Sequence, residues 1–202
     1  MCTGCLLALP RLGHIAGAVP ALHQALSNAP AAPGLEAVWF RYDPAGDFAS
    51  LVRSAKYGNR PRQGRLMGRA FARELLADSA AALDRVDVLL PVPMHWVKQI
   101  GRGYNQSGEI ARGISDVTGI PVGDNLVALA PHRTQTKRSR RSRLVNVQGT
   151  IWCVRPDELA GLDICLVDDI ITTGATITEC VMAIGRAGAR PASIGAFALG
   201  AP

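Results

Sequence analysis

Four consecutive apolar residues, Ile164-Cys165-Leu166-Val167, run straight into two acids, Asp168-Asp169, and this junction constrains the chain more than any other stretch. A strand with one wet face alternates apolar and polar residues, so an unbroken apolar run predicts a strand covered on both faces, the habit of parallel sheets. The acids mark its end. Ile170 to Gly174 then predict a short loop, and Ile177, Val181 and Ile184 recur at helical spacing, so a helix is expected over residues 175–187 with Gly188 placed for its C-terminal cap.

The rest of the chain repeats this alternation. Val38 to Tyr42 reads as a strand, Phe48, Leu51, Val52 and Ala55 as a helical stripe, and Leu66, Met67, Ala70, Phe71 and Leu75 as the buried face of a helix that follows Pro61. Val86 to Leu90 predicts a strand that ends at Pro91-Val92-Pro93, because proline cannot donate to a sheet ladder. Ile110, Ile114 and Val117 predict a helix that stops near Gly119. Residues 126–129, 150–154 and 193–199 read as further strands. Strands alternating with helices predict an α/β domain with a parallel sheet and helices on both faces, which binds ligands beyond the carboxyl ends of its strands. Residues 1–35, rich in Ala, Pro and Gly with weak periodicity, read as a small N-terminal appendage to a main domain at 36–202.

The chemistry concentrates after the buried strand. Amides at a helix start have no intrahelical acceptor, and with the helix dipole they form an anion site. Thr172, Thr173 and Thr176 add hydroxyl donors, Gly174 lets the backbone close tightly, and Ala175 opens the helix. Two adjacent carboxylates, Asp168 and Asp169, are suited to accept hydrogen bonds from vicinal sugar hydroxyls. A phosphate on one side and a diol on the other describe a ribose 5-phosphate.

Charge adds one feature. The formal net charge is +6, from 22 basic and 16 acidic residues. Arg133, Lys137, Arg138, Arg140, Arg141 and Arg143 fall within eleven residues that contain no acid, and without these six the basic and acidic residues balance. The basic character is therefore local, which points to an anion site rather than to a uniformly basic surface that coats DNA.

Ile164 to Thr176 resembles the signature of type I phosphoribosyltransferases for 5-phosphoribosyl-1-pyrophosphate (PRPP): an apolar strand, two acids, two variable residues and Thr-Thr-Gly-x-Thr. Pro91 to His95, Arg102-Gly103-Tyr104-Asn105-Gln106, and Thr134-Gln135-Thr136 followed by Arg140, Arg143 and Asn146-Val147 are similar, in order, to landmarks of the ComF family of competence-associated, phosphoribosyltransferase-like proteins. The resemblance covers roughly residues 38–200. It implies a type I phosphoribosyltransferase fold, PRPP with Mg²⁺, and displacement of pyrophosphate from C1 of the ribose by a nitrogen nucleophile. Asp168 and Asp169 would hold the ribose and, directly or through water or ligand, the Mg²⁺. Thr172, Thr173, Gly174, Ala175 and Thr176 would hold the 5-phosphate. Lys98, Arg102, Arg140 and Arg143 are candidates for the pyrophosphate, with the basic segment as a mobile loop that closes over it. Tyr104 fits either stacking on a base or packing.

Five cysteines are an odd count. Cys153, Cys165 and Cys180 lie in apolar stretches, where a free thiol behaves as a small hydrophobe. Cys2 and Cys5 have the spacing of half a zinc site, whereas ComF-like proteins commonly carry two cysteine pairs. A truncated finger and a zinc site completed by His14 and His23 both stay open. No stretch near the start has the length of a spanning helix or the pattern of a secretion signal, so a cytoplasmic protein without membrane insertion is expected. Two further readings stand beside the enzyme. One is a non-catalytic PRPP or nucleotide sensor, since no residue announces a base pocket. The other is an accessory protein that handles single-stranded DNA, against which aromatic residues amount to only 5% of the chain.

Overall fold

The computed structural model describes residues 20–29, 32–41, 60–78, 83–94, 100–101, 103–129 and 149–201. Its centre is a sheet of four parallel strands: β1 (Ala32–Arg41), β2 (Val88–Pro91), β5 (Asp163–Ile170) and β6 (Ser193–Ala201), in the order β1-β6-β5-β2. All four carboxyl ends therefore open on one edge.

The continuous apolar run of β5 has the predicted consequence. Ile164 and Leu166 join one buried cluster, and Cys165 and Val167 join a second on the opposite face. The first cluster is closed by helices α1 (Pro20–Ser27) and α4 (Ala175–Arg186), through Leu22, Leu26, Ile177, Val181 and Ile184. The second is closed by α2 (Pro61–Asp78) and α3 (Gln106–Thr118), through Met67, Phe71, Leu75, Ile110 and Ile114. The ring centroids of Phe71 and Phe197 lie 3.9 Å apart and join α2 to the sheet. Helices thus cover both faces.

Helices α2 and α3 cross closely because glycines stand at the crossing. A Cβ on Gly68 would lie 2.2 Å from the Ile110 carbonyl oxygen, and one on Gly113 would lie 2.1 Å from that of Arg65. At the solvent side, Arg65 donates twice to Asp116 at 2.6 Å and Arg69 once at 2.7 Å. Those guanidinium hydrogen bonds hold the Asp116 carboxyl well below the usual carboxylate range.

Four expectations change. The first strand begins at Ala32, not Val38, so it crosses the boundary placed after residue 35. Pro33 is tolerated because β1 is an edge strand whose register shifts between Pro33 and Glu36. Within the expected appendage, α1 packs on α4, and Leu22 and Leu26 are buried in the same cluster as the sheet. The strand expected over Val86–Leu90 is Val88–Pro91. The Leu89 amide points outward, to the Pro121 carbonyl, and direction alternates with period two, so the donor that Pro91 lacks falls on the outer side of the strand. Finally, β3 (Leu126–Ala128) and β4 (Ile151–Cys153) do not join the parallel sheet; they pair antiparallel as a separate two-stranded sheet. The helix expected around Phe48 to Ala55 lies outside the described residues. Among the described residues no helix is long and apolar enough to cross a membrane.

Candidate functional site

The end of β5 and the start of α4 are joined by only four residues, and burial alternates sharply among them. Ile171 is plugged into the first core cluster, Thr172 and Thr173 are exposed, and Gly174 is buried. The plug fixes the turn while its hydroxyls face solvent. Gly174 has φ of 73°, the left-handed region that L side chains rarely adopt, which is the physical reason for glycine at this helix cap.

A glycine cap brings no side-chain acceptor to the first amides of α4. The Thr173 hydroxyl accepts weakly from the Ala175 amide at 3.4 Å, and the Gly174 carbonyl takes the Thr178 amide at 2.8 Å and its hydroxyl at 3.0 Å. The helix is anchored through its carbonyl side. Its opening amides and the threonine hydroxyls form a surface with the chemistry of a phosphate cradle.

Asp168 and Asp169 are both half-buried at the end of β5. Asp168 Oδ1 accepts the Ser107 hydroxyl at 3.1 Å and the Asp169 amide at 2.8 Å. Ser107 comes from the first turn of α3, and Asn105 explains how it gets there. As N-cap, Asn105 accepts the Ser107 amide through Oδ1 at 3.1 Å, and through Nδ2 it donates to the Val92 carbonyl at 2.9 Å. The Val92 amide in turn donates to the Val167 carbonyl at 2.9 Å. The exit of β2, the start of α3 and the end of β5 are thereby laced together at the carboxyl edge. Gly103, at φ of 80°, precedes this lacing. Tyr104 is 9% exposed, and its hydroxyl accepts the Arg60 amide at 3.3 Å, a packing role rather than an open stacking platform.

A second network holds α4 on its other flank. Glu179, 4% exposed, accepts the Gly149 amide and the Arg186 guanidinium, each at 2.7 Å, and Arg186 also donates to the Ile151 carbonyl at 3.1 Å. This ties the start of β4 to the helix that carries the cradle. The three apolar-stretch cysteines are free thiols; burial pushes Cys165 up to about 12 and Cys180 well above its ordinary range.

The structure therefore brings Asp168, Asp169, Thr172, Thr173, Gly174, Ala175 and Thr176 into one turn. Lys98, Arg102, Arg140 and Arg143 lie outside the described residues, as do Cys2, Cys5, His14, His95 and His132. His23 is exposed on α1. Sequence reasoning missed Ser107; its signal was an Asn two residues earlier, in N-cap position, at the foot of a helix that packs against the acidic strand.

A parallel α/β sheet with an acidic strand end, a Thr-rich turn and a glycine-capped helix at its carboxyl edge is the local arrangement that carries the resemblance to phosphoribosyltransferases. No protein-family model matches the chain. Competence protein F of Haemophilus influenzae is 34% identical over 95 residues, 46% of this chain and 42% of that protein. DNA utilization protein YhgH of Salmonella typhimurium is 26% identical over 157 residues, 75% of this chain and 68% of that protein. Competence protein ComFC of Bacillus subtilis is 29% identical over 119 residues, 57% and 45% of the two chains. The resemblance to ComF-type competence proteins read from separated motifs is thus shared with named relatives, although the matched region spans less than half of competence protein F. Among solved structures, glutamine PRPP amidotransferase from B. subtilis, complexed with ADP and GMP, has a TM-score of 0.48 at 21% identity, covering 73% of this chain and 30% of that one.

Proposed function

We propose that this protein binds PRPP at the carboxyl edge of β5 and, as a ComF-like phosphoribosyltransferase, transfers its ribosyl phosphate to a nitrogen nucleophile. The observation that carries the reading is the Asp168 to Thr176 turn, which sets a half-buried acid pair against a glycine-capped helix start within one short segment. The 5-phosphate would meet the opening amides of α4 with the hydroxyls of Thr172, Thr173 and Thr176. The ribose hydroxyls would donate to Asp168 and Asp169. By resemblance, Lys98, Arg102, Arg140 and Arg143 are assigned to the pyrophosphate, for which guanidinium groups suit because they bind phosphate oxygens in pairs and stay charged.

In the reaction the C1–O bond breaks with its electron pair leaving on pyrophosphate, the nitrogen lone pair forms the C1–N bond, and the nitrogen gives up its proton to the departing pyrophosphate. The chain's task is to position the ribose, neutralise the departing anion and exclude water. Mg²⁺ fits the donor set: two carboxylates supply hard oxygen ligands, and this ion is commonly bound by one or two of them together with substrate oxygens. When bound, it would neutralise charge on the pyrophosphate. Zinc at Cys2 and Cys5 is a separate proposal, tested by metal analysis of the purified protein.

Calorimetry with PRPP and Mg²⁺ tests the reading. The double variant Asp168→Asn/Asp169→Asn should lose PRPP binding and keep its fold, because neither carboxylate belongs to the two apolar clusters. Undiminished affinity refutes the site. Pyrophosphate release with a panel of purines and pyrimidines then separates the enzyme from the non-catalytic sensor, which the buried Tyr104 favours because it removes one candidate platform for a base.

The names of the relatives, which speak of competence and DNA utilization, support a role connected with competence and the use of DNA. Direct contact with single-stranded DNA would show as a steep negative dependence of affinity on salt.

A further inference from the structure

Ser107 touches the acid pair, and the proposed ligand chemistry gives it no task. It is 5% exposed, and a buried hydroxyl is costly unless hydrogen-bonded. Its partner is Asp168 Oδ1 at 3.1 Å, an oxygen that also receives the Asp169 amide at 2.8 Å. One of these donors comes from the strand itself, and the other crosses from α3. Two donors in different directions on a single oxygen restrain the carboxylate more tightly than either donor does. The placement of Ser107 is itself over-determined. Asn105 caps the Ser107 amide and holds the Val92 carbonyl, and Val92 is bonded to β5 one residue before Asp168.

We infer that Ser107 is a positioning residue for sugar recognition: its hydroxyl orients Asp168 toward the vicinal hydroxyls of a ribose 5-phosphate unit without touching the ligand. This rests on the PRPP-type reading of the site. The phosphate cradle of Thr172 to Thr176 lies on the far side of the acid pair along the chain and does not depend on Ser107, so the two halves of the ligand report separately.

The experiment uses the full chain and two probes, ribose 5-phosphate and inorganic phosphate, by calorimetry. Ser107→Ala should weaken ribose 5-phosphate about tenfold, the loss expected for one hydrogen bond to a charged group, and leave inorganic phosphate unchanged. Ser107→Thr, which keeps the hydroxyl, should recover most of the affinity. In an Asp168→Asn background Ser107→Ala should add no further loss. Equal weakening of both probes, or full additivity with Asp168→Asn, would show a merely structural role and overturn the inference. Ribose 5-phosphate binding that is indifferent to Ser107→Ala overturns it alone. If the unaltered protein binds neither probe, the PRPP reading falls first and this inference with it.

Discussion

Cys165 and Cys180 stand one on each face of the sheet, in the second and first core clusters respectively, and both are fully enclosed. Burial disfavours the thiolate, so Cys165 is pushed up to about 12, and Cys180 is raised further by the neighbouring Asp168 and Glu179 charges. The sign of the consequence follows. Below about pH 8.5, the ordinary thiol value, both thiols are neutral folded or unfolded and make no difference to stability. Above it the unfolded chain ionises while the native chain does not, so stability falls as pH rises. Native protein at about pH 8 should therefore resist alkylation at Cys165 and Cys180 and react at both once urea unfolds it, a pattern read by mass spectrometry. Rapid native labelling of either would contradict their burial.

Among the elements, the crossing of α2 and α3 carries the tightest constraint, because the second core cluster and the position of Ser107 both depend on it. Gly68 and Gly113 approach backbone carbonyls of the facing helix, atoms that cannot step aside as a side-chain tip can. Gly68→Ala and Gly113→Ala should each destabilise the fold by about 1–3 kcal/mol or more, measured by urea unfolding. An alanine gain from helix propensity, about 1 kcal/mol, works in the opposite direction and is smaller than the clash at these distances. Stability equal to that of the unaltered protein would mean that the helices lie farther apart than described. Gly119, by contrast, caps α3 at φ of 77° with its amide on the Ser115 carbonyl, a role about conformation and not about space.

At the scale of the molecule, the issue is whether the segment before β1 belongs to the domain. Leu22 is 1% exposed, Leu26 is 2% exposed, and both share a cluster with Leu166 of β5 and Ile177 of α4. Leu22→Ala should then cost about 2–5 kcal/mol in the unfolding of the whole protein, in a single transition. A neutral Leu22→Ala, or a separate early transition, would restore the view of an independent appendage.

The β5 unit was legible because its signals are local and agree with one another. Ile164 to Val167 demands cover on both faces, Gly174 admits a left-handed backbone, and Ile177, Val181 and Ile184 share one helical stripe. Pattern and conformational freedom are properties of neighbours in sequence, so residues 164–188 could be read directly. Other features depend on partners far along the chain. Ser107 meets Asp168 across 61 residues, Gly149 meets Glu179 across 30, and β3 finds β4 rather than the parallel sheet. Nothing local distinguishes Leu126 to Ala128 as a strand of a second sheet, nor the weakly periodic Pro20 to Ser27 as core. The sequence determined which groups can hold a phosphate and a diol, because that is written in side-chain chemistry and helix geometry. The tertiary structure alone decided which neighbour meets Asp168 and that Leu22 and Leu26 share a core with the sheet, because both depend on which surfaces bury one another.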